Sequence, residues 1–496
     1  MKDIQDSIEI IDTYEVNVEN IPVQIKIYKE FRKPVKVYEV SLLHVSEATN
    51  VIINKIKEEI INEVSFNLLS RTEIEEEEKI KKQFKDKIIS LMKEYFGILD
   101  ADSLNTLSNY VIVTSLGLGE IEFLLRDSHL EEIVVNNSNE NIWVYHRKYG
   151  WLKTSIKTDN ENKIRHFATL IGRESGKGLS TLEPLLDAHL KTGDRVNATL
   201  SPISTKGNTI TIRKFAEKPW TITDFIREKT IDYETAAFLW QAMQYELSIF
   251  IVGGTGSGKT SMLNVLANFL PSNQRIISIE DTRELNLPDT LHWVPLETRL
   301  PNPEGKGEIA MLDLMVNSLR MRPDRIIVGE IRRKGEAEVL FEAIHTGHSV
   351  YATLHASDVN ETIARLTNPP IDIPKALLSS LNLVVVQNRN RRTGLRRTFQ
   401  LAEILADGKP NVLRQLDISK DKMQNFSKSV SIKNTLKIHA GLSEQSIKND
   451  LDEKIKILKW LVQQNISDVN EIGLIMSDYY SDKSYLLKKV SGGKNS

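Results

Sequence analysis

The chain has 496 residues, room for about two to four domains rather than a single core. Its 40% hydrophobic and 27% charged residues are the balance of an ordinary globular protein, neither disordered nor membrane-spanning. Lys and Arg number 65 against 67 Asp and Glu, so the net charge of −2 provides no field for wrapping a polyanion, and nucleic acid is not an expected partner. The lack of cysteine excludes disulfides and Cys-ligated zinc.

Residues 1–14 are acidic and mixed, without the basic and apolar stretches of a leader peptide, so none is expected. Residues 16–43 alternate apolar and polar positions (Val23, Ile25, Ile27; Val35, Val37), and Ile52, Ile53, Ile56, Ile60 and Ile61 follow at helical spacing. An amphipathic helix is expected over 71–96, opening on the acidic run Glu75 to Glu78 and continuing through Phe84, Ile88 and Met92. Residues 117–215 mix strand patterns near 132, 141 and 209 with a helix near 163–171, the composition of a second α+β domain. Pro219 with Thr221, Thr223 and Asp224 marks a hinge and a helix cap.

Strand and helix patterns then alternate: helix 233–245, strand 248–252, helix 260–269, strand 275–279, helix 311–321, strand 325–328, helix 335–345, strand 349–353. Such βα alternation predicts a parallel sheet with helices on both faces. Beyond 404 the pattern turns polar, then helical over 443–464, ending in a Gly/Lys/Ser tail expected to be disordered. The expected organisation is 1–116, an α+β and helical docking region; 117–219, an α+β domain; 220–231, a linker; 232–405, a P-loop domain; and 406–496, a helical region. The longest apolar runs are strand-length, well short of the roughly 20 residues that cross a bilayer, so the protein is expected in the cytoplasm with any membrane link made through a partner.

Gly253, Gly254, Thr255, Gly256, Ser257, Gly258, Lys259 and Thr260 match G-x-x-x-x-G-K-[ST] in full, between an apolar strand and a helix. Glycines let consecutive N–H groups face phosphates, and the helix N-terminus adds partial positive charge. Lys259 suits the β- and γ-phosphates, and Thr260 suits Mg²⁺. Hydrolysis also needs carboxylates, and two apolar strands end in them: one at Glu280, Asp281 and Glu284, the other at Glu330, the expected metal-side residue with Thr260. His345, His348 and His355 are a poor zinc signature, and a structural or γ-phosphate-sensing role fits them better. Arg299, Arg320, Arg322, Arg325, Arg332 and Arg333 cluster on this side of the chain, and guanidinium forks suit a developing phosphoryl charge; Arg320 and Arg322 are candidates for it.

The ordered set formed by this P-loop, Ile279-Glu-Asp-Thr-Arg-Glu284, Asn302-Pro-Glu-Gly-Lys-Gly-Glu308, residues 318–332 and Thr346-Gly-His-Ser-Val-Tyr-Ala-Thr-Leu-His-Ala356 resembles the type II/type IV secretion and pilus-assembly ATPase superfamily over about residues 120–405. The resemblance implies a RecA-like P-loop NTPase domain with a parallel sheet, preceded by an α+β, PAS-like amino-terminal domain. It implies Mg²⁺-dependent ATP hydrolysis by a homo-hexamer that powers assembly of type IV pilus-like filaments or type II-like secretion. Archaellum rotation or DNA transfer on the same fold is an alternative, and an ATP-gated scaffold with negligible turnover is a reading of another class. It places Glu280, Asp281 and Glu284 in the family's Asp box, Glu330 at its Walker B glutamate, and His348 and His355 in its His box. Arg195 and Arg213 match positions that in the family reach nucleotide across the cleft between domains. Implied partners are a polytopic membrane platform at the inner face of the membrane and, indirectly, pilin-like subunits. The lack of the four-cysteine zinc module of many bacterial members, the Arg333-Lys-Gly-Glu336 stretch and the Asn368-Pro-Pro-Ile-Asp-Ile-Pro374 segment resemble archaeal pilus-type members.

Overall fold

A computed structural model describes residues 8–42, 47–64, 74–97, 99–115, 117–215, 219–299, 301 and 305–492. The chain divides into two compact units, Met1–Glu217 and Lys218–Ser496. The Gly/Lys/Ser tail at 493–496, residues 302–304 of the Asn/Pro/Gly segment and the first residue of the hinge lie outside the described residues.

In the first unit β1 (Ile8–Val18), β2 (Ile21–Glu30) and β3 (Val37–Leu42) form an antiparallel ribbon. The β1–β2 turn places Glu19 and Asn20 at positive φ, 50° and 67°, the conformation a two-residue hairpin needs. Helices α1 (Glu47–Val64), α2 (Ile74–Phe96), α3 (Ala101–Ser115) and α4 (Ile121–Arg126) follow. The described face of α2 buries Phe84, Ile88 and Met92 in the same core as Val23, Ile25 and Ile27 of β2. The side chains of its acidic first turns lie outside the described set. Next come β4 (Leu130–Val135), β5 (Asn141–His146), β6 (Gly150–Lys157), α5 (Glu161–Glu174), β7 (Leu185–His189), β8 (Arg195–Thr199) and β9 (Thr209–Arg213).

The nine strands make one sheet in the order β1-β2-β3-β6-β5-β4-β9-β8-β7. Residues 1–116 and 117–219 were expected as separate domains; the β3–β6 pairing instead carries hydrogen bonds across that division. The buried Asp127 carboxylate reinforces the seam, accepting from Tyr14 at 2.7 Å and Tyr38 at 2.6 Å. The division was invisible as continuous structure because the parallel partner of β3 lies over a hundred residues downstream, beyond four helices.

The second unit opens with α6 (Ile222–Arg227), capped reciprocally by Thr221 and Asp224, and α7 (Tyr233–Gln244), capped by Asp232. Then follow β10 (Ile249–Gly253), α8 (Lys259–Ala267), β11 (Arg275–Glu280), β12 (His292–Glu297), α9 (Met311–Ser318) with a 3₁₀ turn over Leu319–Met321, β13 (Arg325–Val328), α10 (Lys334–His345) and β14 (Ser349–Leu354). The chain continues through α11 (Val359–Thr367), α12 (Lys375–Leu378), β15 (Leu383–Arg389), β16 (Arg396–Ile404), β17 (Pro410–Asp417) and β18 (Lys422–Asn425). It ends in α13 (Ser431–Ala440), α14 (Glu444–Gln463), α15 (Val469–Ser481) and α16 (Lys483–Val490).

The second sheet runs β12-β11-β13-β14-β10-β15-β16-β17-β18. Its strands from β12 to β15 are mutually parallel, and β16 to β18 extend it antiparallel. Every residue of β10, β13 and β14 is buried, as expected for strands covered by helices on both faces. Alternate residues divide between two cores: Ile249, Ile251 and Ile327 face α7, α8 and α14, whereas Phe250, Val252 and Val328 face α9 and α10.

Strands β16 to β18 and helices α13 to α16 belong to this same unit, so the helical region expected over 406–496 begins with strands paired to the P-loop sheet. Helix α14 is tied to α7 inside the core. Lys454 Nζ donates to Asp450 at 2.6 Å and to the Tyr479 hydroxyl at 2.9 Å, and Gln241 donates to Asp450 at 2.8 Å. Burial pushes the Lys454 ammonium down to about 8, with Asp450 opposing the shift. No helix among the described residues is long and apolar enough to cross a membrane.

Candidate functional site

Parallel strands deliver their carboxyl ends to one edge, and this edge collects most of the sequence-predicted site residues. Strand β10 ends at Gly253, and the loop to α8 turns on Gly256 (φ +70°) and Gly258 (φ +93°), left-handed positions that favour glycine. A Cβ on Gly253 would come within 2.4 Å of the Gln387 carbonyl oxygen and of Ser257 Oγ, whereas Gly254 faces open space. The Ser257 amide and the Lys259 ammonium both point at Gly254 O, each at 3.3 Å. Two donors thus converge on one oxygen of the loop, and convergent donors are the arrangement that receives a phosphate oxygen. Thr260 stands on the first turn of α8.

Glu330 stands two residues beyond the end of β13, and His355 directly follows β14. Lys259 Nζ lies 3.3 Å from His355 Nδ1, and His355 Nε2 lies 2.8 Å from Glu330 Oε1. An ammonium can only donate, so Nδ1 accepts and the neutral ring carries its proton on Nε2, facing Glu330. Burial, then the neighbouring Lys259 charge, holds His355 below the ordinary histidine range. Burial likewise lowers Lys259, opposed by Glu330 and Glu284. Arg332 completes the row, donating to Glu330 Oε2 through Nη2 at 2.6 Å and Nε at 2.9 Å, and to Asp281 through Nη1 at 2.5 Å.

The three acids after β11 are not equivalent. Glu280 is 2% exposed. Its Oε1 accepts from the amides of Glu284 at 2.9 Å and Leu285 at 3.1 Å, while its Oε2 is buried with no hydrogen-bond partner. Burial pushes this carboxyl up to about 7. Asp281 is engaged by Arg332. Glu284 is exposed and lies within electrostatic reach of Lys259.

Other predicted residues stand elsewhere. Arg320 lies within the 3₁₀ turn before β13 and Arg322 caps it, and His348 precedes β14, where its Nδ1 meets Thr346 Oγ1 at 3.1 Å and Ala343 O at 3.2 Å. These are the amino ends of the strands, separated from Glu330 and His355 by strand lengths of roughly 15–20 Å at the ordinary rise. Within one chain they do not join the P-loop cluster. In the other unit Arg195 on β8 and Arg213 on β9 are register partners, so like charges sit directly opposite each other, and Arg195 is held by Asp187 at 2.8 and 3.1 Å.

Arg396 was not singled out from the sequence. Its Nε donates to Gly256 O at 3.0 Å. Arginine density over 389–397, a strand-turn-strand segment around Gly394, was the available signal.

The pattern of one protein family, described as "Type II/IV secretion system protein", matches residues 121–460. An uncharacterized protein of Methanocaldococcus jannaschii is 34% identical over 377 residues, covering 74% of this chain and 68% of that one. The type IV secretion system protein PtlH of Bordetella pertussis is 30% identical, covering 54% and 88%. Among solved structures, the VirB11 ATPase of the Brucella suis type IV secretion system is 25% identical, covering 56% and 90%, with a TM-score of 0.29.

Proposed function

The chain belongs to the type II/IV secretion system protein family, and from that premise we propose that it hydrolyses ATP with Mg²⁺ as a hexameric ring motor, powering assembly of pilus-like filaments or type II-like secretion. The observation that carries the reading is the convergence of P-loop, Lys259, His355 and Glu330 at the carboxyl edge of one parallel sheet. The name borne by the PtlH relative supports type IV transfer as a second reading of the cargo.

The residues fit a magnesium-bound triphosphate. The loop's interior amide and ammonium converge on one point, Ser257 Oγ is buried without a protein partner, and carboxylates stand opposite. Thr260 and Glu330 are the residues that would hold the metal, which when bound neutralises charge on the β- and γ-phosphate oxygens. Gly253 to Thr260 bind and orient the phosphates, and Lys259 offsets the charge that grows on the transferred group.

A general base must reach water. Glu280 is sealed from solvent and Asp281 is committed to Arg332, so Glu284, exposed and within reach of the Lys259 charge, is the proposed base. Glu280 then acts as a positioning residue, fixing the backbone that presents Glu284. Neutral His355 relays position between Lys259 and Glu330.

The amino-terminal α+β unit, read as PAS-like, is proposed to contribute Arg195 and Arg213 to nucleotide contact in the assembled ring. Arg320, Arg322 and His348, remote from this chain's own P-loop, are proposed to act on nucleotide held by a neighbouring subunit. The ring is placed in the cytoplasm, at the inner face of the membrane, through a polytopic platform protein, and acts on pilin-like subunits indirectly.

Steady-state phosphate release tests the reading. Wild type is expected to exceed Glu330→Gln by at least about 100-fold, within the range that one preorganised site residue supplies. Equal rates from the two proteins would defeat the enzyme reading.

A further inference from the structure

Five arginines, Arg389, Arg391, Arg392, Arg396 and Arg397, crowd the hairpin between β15 and β16. Strand β15 pairs in parallel with β10 and sets Gln387 beside Gly253, so the hairpin leaves the sheet at the edge where the P-loop begins. Its base is fixed on the far side. Arg397 holds Asp421 at 2.7 and 2.9 Å and the Glu228 carbonyl at 2.9 Å, and Gln387 holds Thr398 Oγ1 at 3.0 Å. Successive strand residues point to opposite faces, which turns Arg396 toward the loop. There its Nε donates to Gly256 O at 3.0 Å, and its Cδ lies 3.6 Å from where a Gly258 Cβ would stand. Arg389 Nη1 lies 3.0 Å from where a Gly256 Cβ would stand.

Resting on the P-loop reading above, we infer that Arg396, flanked by Arg389, is a positioning residue for nucleotide binding. The mechanism follows from the planar trans peptide. The carbonyl of Gly256 and the amide N–H of Ser257 point in opposite directions across one rigid plane. A guanidinium that holds the carbonyl therefore fixes the amide on the opposite side of the plane, where it donates to Gly254 O at 3.3 Å. Lys259 addresses the same oxygen from within. The hairpin thus presets one phosphate-facing amide before nucleotide arrives and lowers the ordering cost of binding. It acts on the ground state and the transition state alike, which predicts an effect on binding rather than on the chemical step.

Equilibrium titration of a fluorescent ADP analogue with Mg²⁺, beside steady-state kinetics, tests this in the full chain. Arg396→Ala is expected to weaken binding about tenfold, about 1.4 kcal/mol. KM should rise to match, kcat should stay within about threefold, and the nucleotide-free melting temperature should be unchanged. Arg396→Lys, which keeps a charged donor, should recover most of the affinity, whereas Arg392→Ala, removing an exposed charge from the hairpin tip, should bind as wild type. Unchanged affinity in Arg396→Ala overturns the inference and leaves the P-loop reading standing, as does an equal loss in Arg392→Ala, which would make hairpin charge alone responsible. Failure of wild type to bind the analogue overturns both.

Discussion

The two ends of the parallel sheet use the same side-chain types for opposite purposes. At the carboxyl end Lys259, Glu284, Glu330 and Arg332 are partly exposed and face one another around a loop of convergent donors. At the amino end Arg325 is fully buried and spends its guanidinium on Gln274 at 2.7 Å, Ser349 at 3.0 Å and Tyr351 at 2.7 Å. Position along the strand, rather than residue type, therefore separates chemistry from architecture. An arginine or histidine motif means little until its strand end is known, as His348 and His355 show from opposite ends of β14.

The sharpest way to break this contrast is Glu284→Gln. Hydrolysis should fall by about 10²–10⁴-fold, the usual contribution of a general base, while nucleotide affinity stays near wild type. A variant that hydrolyses normally would move the base to another acid. The opposite pattern is expected of Arg325→Ala. Truncating a buried, hydrogen-bonded guanidinium should cost about 3 kcal/mol in denaturant unfolding, with little change in kcat per folded molecule. A stable variant would mean that the amino-end network is dispensable.

Glu280→Gln probes the boundary between the two roles and has a pH signature. The folded carboxyl is raised to about 7 from an ordinary value of 4.5, so the folded state prefers it protonated. Wild-type stability conferred by that proton is full below about pH 4.5 and is lost as pH rises through 7. The Gln variant should therefore gain on wild type across this window, by up to about 3 kcal/mol at pH 8, and keep more hydrolysis than Glu284→Gln. Parallel stability profiles for the two proteins would show that burial of Glu280 carries no such cost.

The central strands were legible because full burial leaves continuous apolar runs: the expected strand 325–328 coincides with β13, and the expected helix 335–345 lies within α10. The P-loop was legible for a different reason, since phosphate binding demands glycines at fixed spacing. Strands β17 and β18 were missed because half-buried antiparallel strands such as Pro410–Asp417 carry few β-branched residues. The Asp407-Gly408 pair before β17 was the overlooked turn signal. The distinction among Glu280, Asp281 and Glu284 was illegible, because burial and the Arg332 contact arise from segments some fifty residues apart in the chain. Arg396 was hidden similarly, 140 residues from the Gly256 carbonyl it holds.

Titration of magnesium-ATP into wild type and Lys259→Ala tests the carboxyl-edge site most directly. One nucleotide bound per wild-type chain, with at least about tenfold weaker binding in the variant, is the result expected of convergent donors around one phosphate pocket. Equal binding by the two proteins would place the nucleotide somewhere other than this loop and contradict the account.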